Sequence, residues 1–259
     1  MTKRTVFITG GASGIGFGMA NAMVQKGHHV IIADINEQAA QEAAAKLAHD
    51  SGHHGGSASA VAVDVCNAQQ VSALPEVLGK LSVDVLINNA GIQHVSRLED
   101  FPADKWQQLI NIMLVGPALL TQAFLPSMRA QNFGRIINVG SIHSVVASPY
   151  KSAYVAAKHG LLGFAKTVAL ETGDCDVTIN TLCPAYVKTP LVEQQIAAQA
   201  KENNLTEDEV INKIMLEPMP KKQFISLEEL ADTALFLMSN SARNITGQTM
   251  ILDGGWTAR

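Results

Sequence analysis

The chain has 259 residues, 47% of them hydrophobic and 16% charged, with a formal net charge of −4. That size and balance fit one large α/β domain with a sizeable core and exclude a disordered chain. There is no long run of one charge sign and no unbroken apolar stretch of about 18 residues, so neither nucleic acid nor a membrane is expected as a partner. Met1-Thr2-Lys3-Arg4 leads straight into Thr5-Val6-Phe7-Ile8, an apolar run too short for a secretory signal and better used as a strand. Cys66, Cys175 and Cys183 are scattered and odd in number. They offer neither a disulfide framework nor zinc spacing and suit a reducing cytoplasm. His53-His54 stand among glycines in what reads as an exposed loop, and no metal site is expected there.

In chain order, apolar β-rich runs at Thr5–Thr9, Val30–Ala33, Ala60–Val63, Val85–Ile87, Ile136–Val139, Thr178–Leu182 and Met250–Leu252 read as strands. Helical patterns start near Ile15, Glu37, Gln69, Asp104, Ser152 and Leu227. Strands that are apolar on both faces and separated by helices predict a parallel sheet covered on both sides. The expected fold is therefore a single-domain, doubly wound α/β arrangement over residues 1–259. It is Rossmann-like, with seven parallel strands, helices on both faces and ligands bound beyond the carboxyl ends of the strands. The stretch 185–226 breaks the rhythm. It is polar and carries Pro190, Pro218 and Pro220, which predicts a lid or substrate loop.

The first strand runs into Thr9-Gly10-Gly11-Ala12-Ser13-Gly14-Ile15-Gly16. Glycines there permit a tight turn and close approach to phosphate, and the helix that follows supplies N–H donors. The spacing of Gly10, Gly14 and Gly16 departs from the G-x-G-x-x-G fingerprint. Asp34 ends the second strand, where a carboxylate accepts hydrogen bonds from an adenosine ribose and repels a 2′-phosphate. Neither Ile35 nor Asn36 supplies a compensating cation. Asp64-Val65 ends the third strand, facing an adenine edge. Asn88-Asn89-Ala90-Gly91 ends the fourth, where small residues let a flat ring lie on the backbone. Asn111 is an unusual choice for a buried helix and points to a structural or water-holding role. Tyr154 and Lys158 are four apart, so on a helix they share one face, with Cβ atoms roughly 5–6 Å apart. An ammonium beside a phenol favours the phenolate, which would make Tyr154 a base toward an alcohol.

The set Thr9-Gly10-x-x-x-Gly14-x-Gly16, Asn88-Asn89-Ala90-Gly91, Asn111, Ser141 and Tyr154-x-x-x-Lys158 resembles the short-chain dehydrogenase/reductase family. The resemblance continues through Pro184-Ala185, Val187, Thr189 and Asp253-Gly254-Gly255, and so covers essentially the whole chain. It implies an NAD(P)-dependent oxidoreductase with Tyr154 as acid/base and Ser141 holding the substrate oxygen. Lys158 would bind the nicotinamide ribose and lower the Tyr154 pKa, and Asn111 would keep a relay water. The implied cofactor contacts are Gly10, Ser13, Gly14, Ile15, Gly16, Asp34, Asp64, Val65, Asn88, Ala90, Gly91, Tyr154, Lys158, Pro184, Val187 and Thr189. Homotetramers are implied too, with the long helices and the apolar C-terminal end at subunit contacts.

Three further stretches are similar to the bacterial D-3-hydroxybutyrate dehydrogenase branch of that family: Gly91-Ile92-Gln93-His94-Val95, Gly140-Ser141-Ile142-His143-Ser144 and Ser148-Pro149-Tyr150-Lys151-Ser152. Thr189-Pro190-Leu191-Val192-Glu193-Gln194-Gln195-Ile196 is similar as well. That likeness implies NAD-dependent oxidation of D-3-hydroxybutyrate to acetoacetate, with Gln93, His143, Lys151 and Gln195 on the substrate carboxylate. Gln194 could take the place of its neighbour. A 3-oxoacyl thioester or a polyol is the alternative substrate. The first more often goes with NADPH, which Asp34 opposes, and the second has no need of Lys151 and His143 as anion partners. A non-catalytic sensor of NADH would have no use for Asn111, Ser141, Tyr154 and Lys158 together.

Overall fold

β1 (Thr5–Thr9), β2 (His29–Asp34), β4 (Val85–Asn88), β5 (Gly134–Val139) and β6 (Val177–Pro184) are built from Val, Ile, Leu and Phe and are buried on both faces. Such strands are stable only at the centre of a sheet with helices on either side. The less apolar β3 (Ser57–Ala62) and β7 (Thr249–Leu252) are half-buried and form the two edges. A computed structural model describes residues 2–50 and 55–258, with the side chains at positions 190, 191, 194, 195, 198, 202 and 203 outside the described set. His53 and His54 lie outside the described residues. The sheet order is β3-β2-β1-β4-β5-β6-β7, every pairing parallel, as the apolar runs predicted. The order reverses between β1 and β4, so a crevice opens there at the strands' carboxyl ends.

One core layer packs α1 (Gly14–Gln25), α2 (Glu37–Asp50) and α9 (Leu227–Met238) on one face through Met19, Met23, Leu47, Leu230 and Leu237. The other face carries α3 (Ala68–Val77), α5 (Gly116–Ala130) and α6 (Ser152–Glu171), through Leu74, Leu120, Phe124 and Ala165. Burying this much Leu, Met and Phe contributes about 1.5–3 kcal/mol per side chain.

Three expectations change. β3 spans Ser57–Ala62 rather than Ala60–Val63, in register from His29↔Ser57 to Asp34↔Ala62. Its Ser-Ala alternation carries little hydrophobic signal, and the ladder is reinforced by His29 Nδ1 and Nε2, at 2.8 Å and 3.2 Å from the hydroxyls of Ser57 and Ser59. The helix expected near Asp104 is α4 (Ala103–Ile110), and it runs on through a π turn (Asn111–Val115) into α5. That 28-residue run holds an 18-residue window of mean hydropathy 1.6, long and apolar enough by composition to cross a membrane, although no unbroken apolar stretch marks it in the sequence. Its α5 portion lies against α3, β4 and β5.

Much of the 185–226 stretch, expected as a lid or substrate loop, is helical. It folds as α7 (Pro190–Asn203), α8 (Glu207–Val210) and a π turn (Ile211–Met215) around Ile196, Ala200, Val210 and Met215. Pro190 starts α7 rather than breaking it, because a helix's first residue has no intrahelical use for its N–H. Thr189 caps that end by accepting from the Val192 N–H at 3.4 Å.

Candidate active site

The crevice between β1 and β4 is a cleft of about 510 Å³. Its floor is the turn after β1. Gly10 has φ +60°, and a Cβ there would sit 3.0 Å from the Ala90 Cα. Asn89 fastens the β4 turn to it, donating from Nδ2 to the carbonyls of Thr9 (3.0 Å) and Gly10 (3.1 Å). Ser13, Gly14 and Ile15 line the cleft at the N-terminus of α1, where the Ser13 hydroxyl makes no capping bond and the first turn holds no acid. The free N–H groups and the helix dipole there favour an anion.

Asp34, at the end of β2, is held by N–H groups of Asn36 (3.1 Å) and Ala12 (3.4 Å) and faces the cleft. Asp64 and Val65 continue this wall, with Asp64 accepting from the Cys66 N–H at 2.9 Å. Ala90, Gly91 and Gln93 follow from β4, Pro184 from the end of β6, and Val187 and Thr189 from beyond it.

Ser141, His143, Lys151, Tyr154 and Lys158 meet at the far end. β5 delivers Ser141 into a one-turn helix that Ser141 itself caps, with Ser144 returning the bond. α6 brings in Tyr154 and Lys158 one turn apart, and the Lys158 Nζ lies 5.7 Å from the Tyr154 ring centre. Lys158 is only 5% exposed and donates to the Val139 carbonyl at 2.6 Å. Burial brings its ammonium down to about 8. Burial also holds the Tyr154 phenol above its ordinary range, a hydrogen bond with Ser141 opposing the rise. Desolvation of the phenolate is the largest influence on this group.

His143 reaches the cleft, but both ring nitrogens face serine hydroxyls, Ser148 Oγ at 2.7 Å and Ser141 Oγ at 3.4 Å. Burial, aided by the Lys151 and His159 charges, takes it down to about 4. It is therefore neutral at physiological pH, so any hydrogen bond it gives an anion comes from a ring N–H without a charge. Lys151 is half-buried and lines the cleft, and no described residue forms a hydrogen bond or ion pair with its Nζ. Burial lowers its pKa. The residue before it, Tyr150, takes a left-handed φ of +67°. Its carbonyl is tied to the Ser96 N–H at 2.9 Å, which links the loop carrying Lys151 to the loop carrying Gln93.

Three sequence candidates stand off the cleft wall. Gly16 is buried beneath the turn, where a Cβ would lie 2.3 Å from the Gly10 carbonyl oxygen, so its part is close packing. Asn88 turns into the sheet and donates to Asn138 Oδ1 at 2.9 Å, leaving Asn89 on the wall. Strand alternation decides between the two, since neighbouring residues point to opposite faces. Asn111 is half-buried at the start of the π turn that packs on α6, with its Oδ1 accepting from Gln107 at 3.0 Å. The side chain of Gln195 lies outside the described residues. Among the described residues, no three His, Cys, Asp or Glu side chains are grouped to hold a metal ion.

The sequence reading took Trp256 only as part of the apolar C-terminal end and not as a neighbour of the site. Glycines with φ +59° and +92° at 254 and 255 bring it back to stack on Tyr186 at 6.1 Å and stand edge-on to His143 at 6.4 Å. The one signal for it was an aromatic after two glycines. Trp256 is thereby partly buried within this chain.

A family model described as enoyl-(acyl carrier protein) reductase, adh_short_C2, matches residues 10–257. Over 261 residues, with both chains covered in full, the protein is 41% identical to the uncharacterized oxidoreductase YxjF of Bacillus subtilis. Over the same length and with the same coverage it is 40% identical to a D-beta-hydroxybutyrate dehydrogenase of Rhizobium meliloti. Among solved structures, one described as a candidate NAD(P) dependent gluconate 5-dehydrogenase from Beutenbergia cavernae, with NADP bound at low occupancy, superposes with a TM-score of 0.87 at 29% identity. It covers 99% of this chain and 97% of its own. With the reversed strand order, the glycine turn under an uncapped helix and the Tyr-Lys pair on α6 all in one cleft, these likenesses show that the chain belongs to the short-chain dehydrogenase/reductase family.

Proposed function

We propose that the protein oxidises D-3-hydroxybutyrate to acetoacetate, reversibly, with NAD as its cofactor. The observation that carries the substrate is Lys151, a half-buried ammonium in the cleft without a described anionic partner. A buried charge is normally paired, and a substrate carboxylate would complete this one. The relatives named as D-beta-hydroxybutyrate dehydrogenases support the same reading.

The cleft fits a dinucleotide. The glycine turn with its uncapped α1 N-terminus suits a pyrophosphate, and Asp34 stands where a ribose diol would bond. Among the described residues lining the cleft the lysines are Lys151 and Lys158, from the loop before α6 and from α6, and none of that lining places a cation beside Asp34 for a 2′-phosphate. That favours NAD. The nicotinamide, when bound, supplies the hydride acceptor.

The chain's own residues do the rest. The Tyr154 phenolate takes the alcohol proton as the C–H bond gives up its hydride, and Ser141 donates a hydrogen bond to the same oxygen. Lys158, fixed by the Val139 carbonyl, favours the phenolate electrostatically whenever it is charged. Lys151 holds the carboxylate, with Gln93 and Gln195 as neutral partners, and so fixes which face presents its hydrogen. His143 is the fourth carboxylate partner in this reading, through a ring N–H rather than a charge.

We assign the same protein a homotetrameric state in a reducing cytoplasm. Only 39% of the apolar window in the helical run Ala103–Ala130 is buried within one chain, which suits contact with a second copy. Light scattering showing a monomer at micromolar concentration would remove that assignment.

The function is tested by absorbance at the NADH band with D-3-hydroxybutyrate, its methyl ester, L-3-hydroxybutyrate, gluconate and a 3-hydroxyacyl thioester, each with NAD and with NADP. The D-acid with NAD should be turned over best, and Tyr154→Phe should lose most of that turnover while still binding NADH. Equal rates with the ester, or an active Tyr154→Phe, would sink the reading.

A further inference from the structure

Tyr150 stands in the left-handed region, with φ +67°. A bulky residue rarely takes that backbone, because its Cβ crowds the following carbonyl oxygen. Tyr150 is 51% exposed, so burial in a core does not hold it there. Two contacts with the neighbouring loop do. Its carbonyl accepts from the Ser96 N–H at 2.9 Å, and the Arg97 guanidinium lies 5.9 Å from its ring centre. Strain held in place by surrounding contacts gathers where a side chain must be aimed.

The side chain aimed here is Lys151. That residue stands at the head of α6, where its carbonyl accepts from the Val155 N–H at 2.9 Å. The helix thus fixes one side of its backbone, and the peptide from Tyr150 fixes the other. Its side chain makes no capping bond to the helix and lines the cleft instead. The loop across from it carries Gln93. The amide Oε1 of Gln93 accepts from the His94 N–H at 3.2 Å, which leaves its N–H donors for the cleft. This loop is seated on α4: His94 stands edge-on to Phe101 at 5.0 Å, and Ile92 packs with Leu109 and Met113. The bond from Ser96 to Tyr150 carries that seating across to Lys151.

We propose that Tyr150 is a positioning residue whose left-handed backbone, clamped by Ser96 and Arg97, aims the Lys151 ammonium at the acid group of the substrate and ties it to the loop of Gln93. Relaxed to an ordinary negative φ, the peptide between 150 and 151 would turn over and lose its bond to Ser96. The Lys151 stem would then swing toward solvent, where its charge is better hydrated. The strained turn keeps a half-buried ammonium in the cleft before the substrate arrives, and such preorganisation lowers the cost of binding. This role rests on the reading that the substrate carries a carboxylate held by Lys151. What it governs is preference for the acid over a neutral ester; the steps at Ser141 and Tyr154 do not depend on it.

Two measurements on the full chain test this, with Tyr150→Val and Tyr150→Asn. Both substitutions remove the ring, but Asn tolerates a positive φ and a β-branched Val does not. The rate at which acetic anhydride labels Lys151, read by mass spectrometry, needs no turnover. It should rise severalfold in Tyr150→Val and stay near the parent's in Tyr150→Asn. In steady state with NAD, Tyr150→Val should lower kcat/KM for D-3-hydroxybutyrate by about tenfold, the size of one weakened charge-assisted hydrogen bond. The KM for NAD and the rate on the methyl ester should not move, and Tyr150→Asn should keep most of the efficiency on the acid. With Lys151→Met already in place, Tyr150→Val should add little further loss, because the two act through one contact. Equal losses in the Val and Asn variants would overturn the proposal. So would unchanged labelling in Tyr150→Val, or a loss as large on the ester as on the acid. If labelling rises as expected while the parent turns over acid and ester alike, Tyr150 does position Lys151, and the carboxylate reading is what fails.

Discussion

Replacing Lys151 by Met keeps the aliphatic stem and removes the ammonium, which makes it the sharpest probe of the carboxylate pocket. In the cleft Nζ has no described bonding partner, so the substitution should remove its interaction with the substrate and little else. A charge-assisted hydrogen bond is worth about 1.5–3 kcal/mol. At about 1.36 kcal/mol per decade that becomes roughly a 10- to 150-fold fall in kcat/KM for D-3-hydroxybutyrate. The KM for NAD should stay put, because Lys151 has no part in the dinucleotide end of the cleft. The difference should nearly vanish when parent and variant are compared on the methyl ester, which offers no charge to hold. Stability should move the other way. Burial lowers the Lys151 pKa, so at neutral pH the fold bears the cost of a desolvated ammonium that the unfolded chain does not. Lys151→Met should therefore raise the urea midpoint. Equal losses on acid and ester, or no loss on the acid, would refute the argument.

Other outcomes follow from single residues. Asp34 should give NAD at least about tenfold higher kcat/KM than NADP, or roughly 1.4 kcal/mol; Asp34→Ala with Ile35→Arg should shift the preference toward NADP, and equal efficiencies in the parent would contradict the role. Gly16→Ala would place a Cβ 2.3 Å from the Gly10 carbonyl oxygen and 2.6 Å from Asn89 Nδ2. It should cost about 1–3 kcal/mol by urea unfolding and raise the KM for NAD as the turn is pushed out of shape; an unchanged midpoint would show that the turn yields freely. Lys158 has its folded pKa lowered from 10.5 to about 8. Below about pH 8 both folded and unfolded chains hold this proton and the fold bears the cost; between about pH 8 and 10.5 the unfolded chain binds more protons, so this group's contribution to stability rises with pH. Urea midpoints of Lys158→Met across that window should lack the rise, and parallel curves for parent and variant would reject it.

The central strands were legible because they are doubly buried: Val6, Phe7, Ile8 and Ile136, Ile137 must be apolar on both faces, and such runs have few other uses. Ser57–Ala62 was misplaced because an edge strand is held by ladder bonds more than by side chains. The 185–226 stretch read as a loop because its prolines look like breakers, although Thr189-Pro190 followed by Glu193 is a helix start in which the proline's missing N–H costs nothing. The long run through Asn111 was foreseen only at its beginning, for the π turn at its middle leaves no mark in composition.

Spacing within one element placed Tyr154 and Lys158 on one face of α6, and the run from Gly10 to Gly16 announced a turn into a helix, since both follow from local geometry. Which member of Asn88-Asn89 reaches the cleft, and that Gly16 supports the turn from beneath, were decided by strand register and by the approach of β4 to β1. The electrostatic state of the site was decided there too. In sequence, Lys151, His143 and Lys158 are three ordinary bases. In the fold, burial brings His143 down to about 4 and Lys158 down to about 8, and sets Lys151 in the cleft with no described partner. Desolvation is a property of everything packed around a group, drawn from several strands and helices at once, and no local run of residues encodes it.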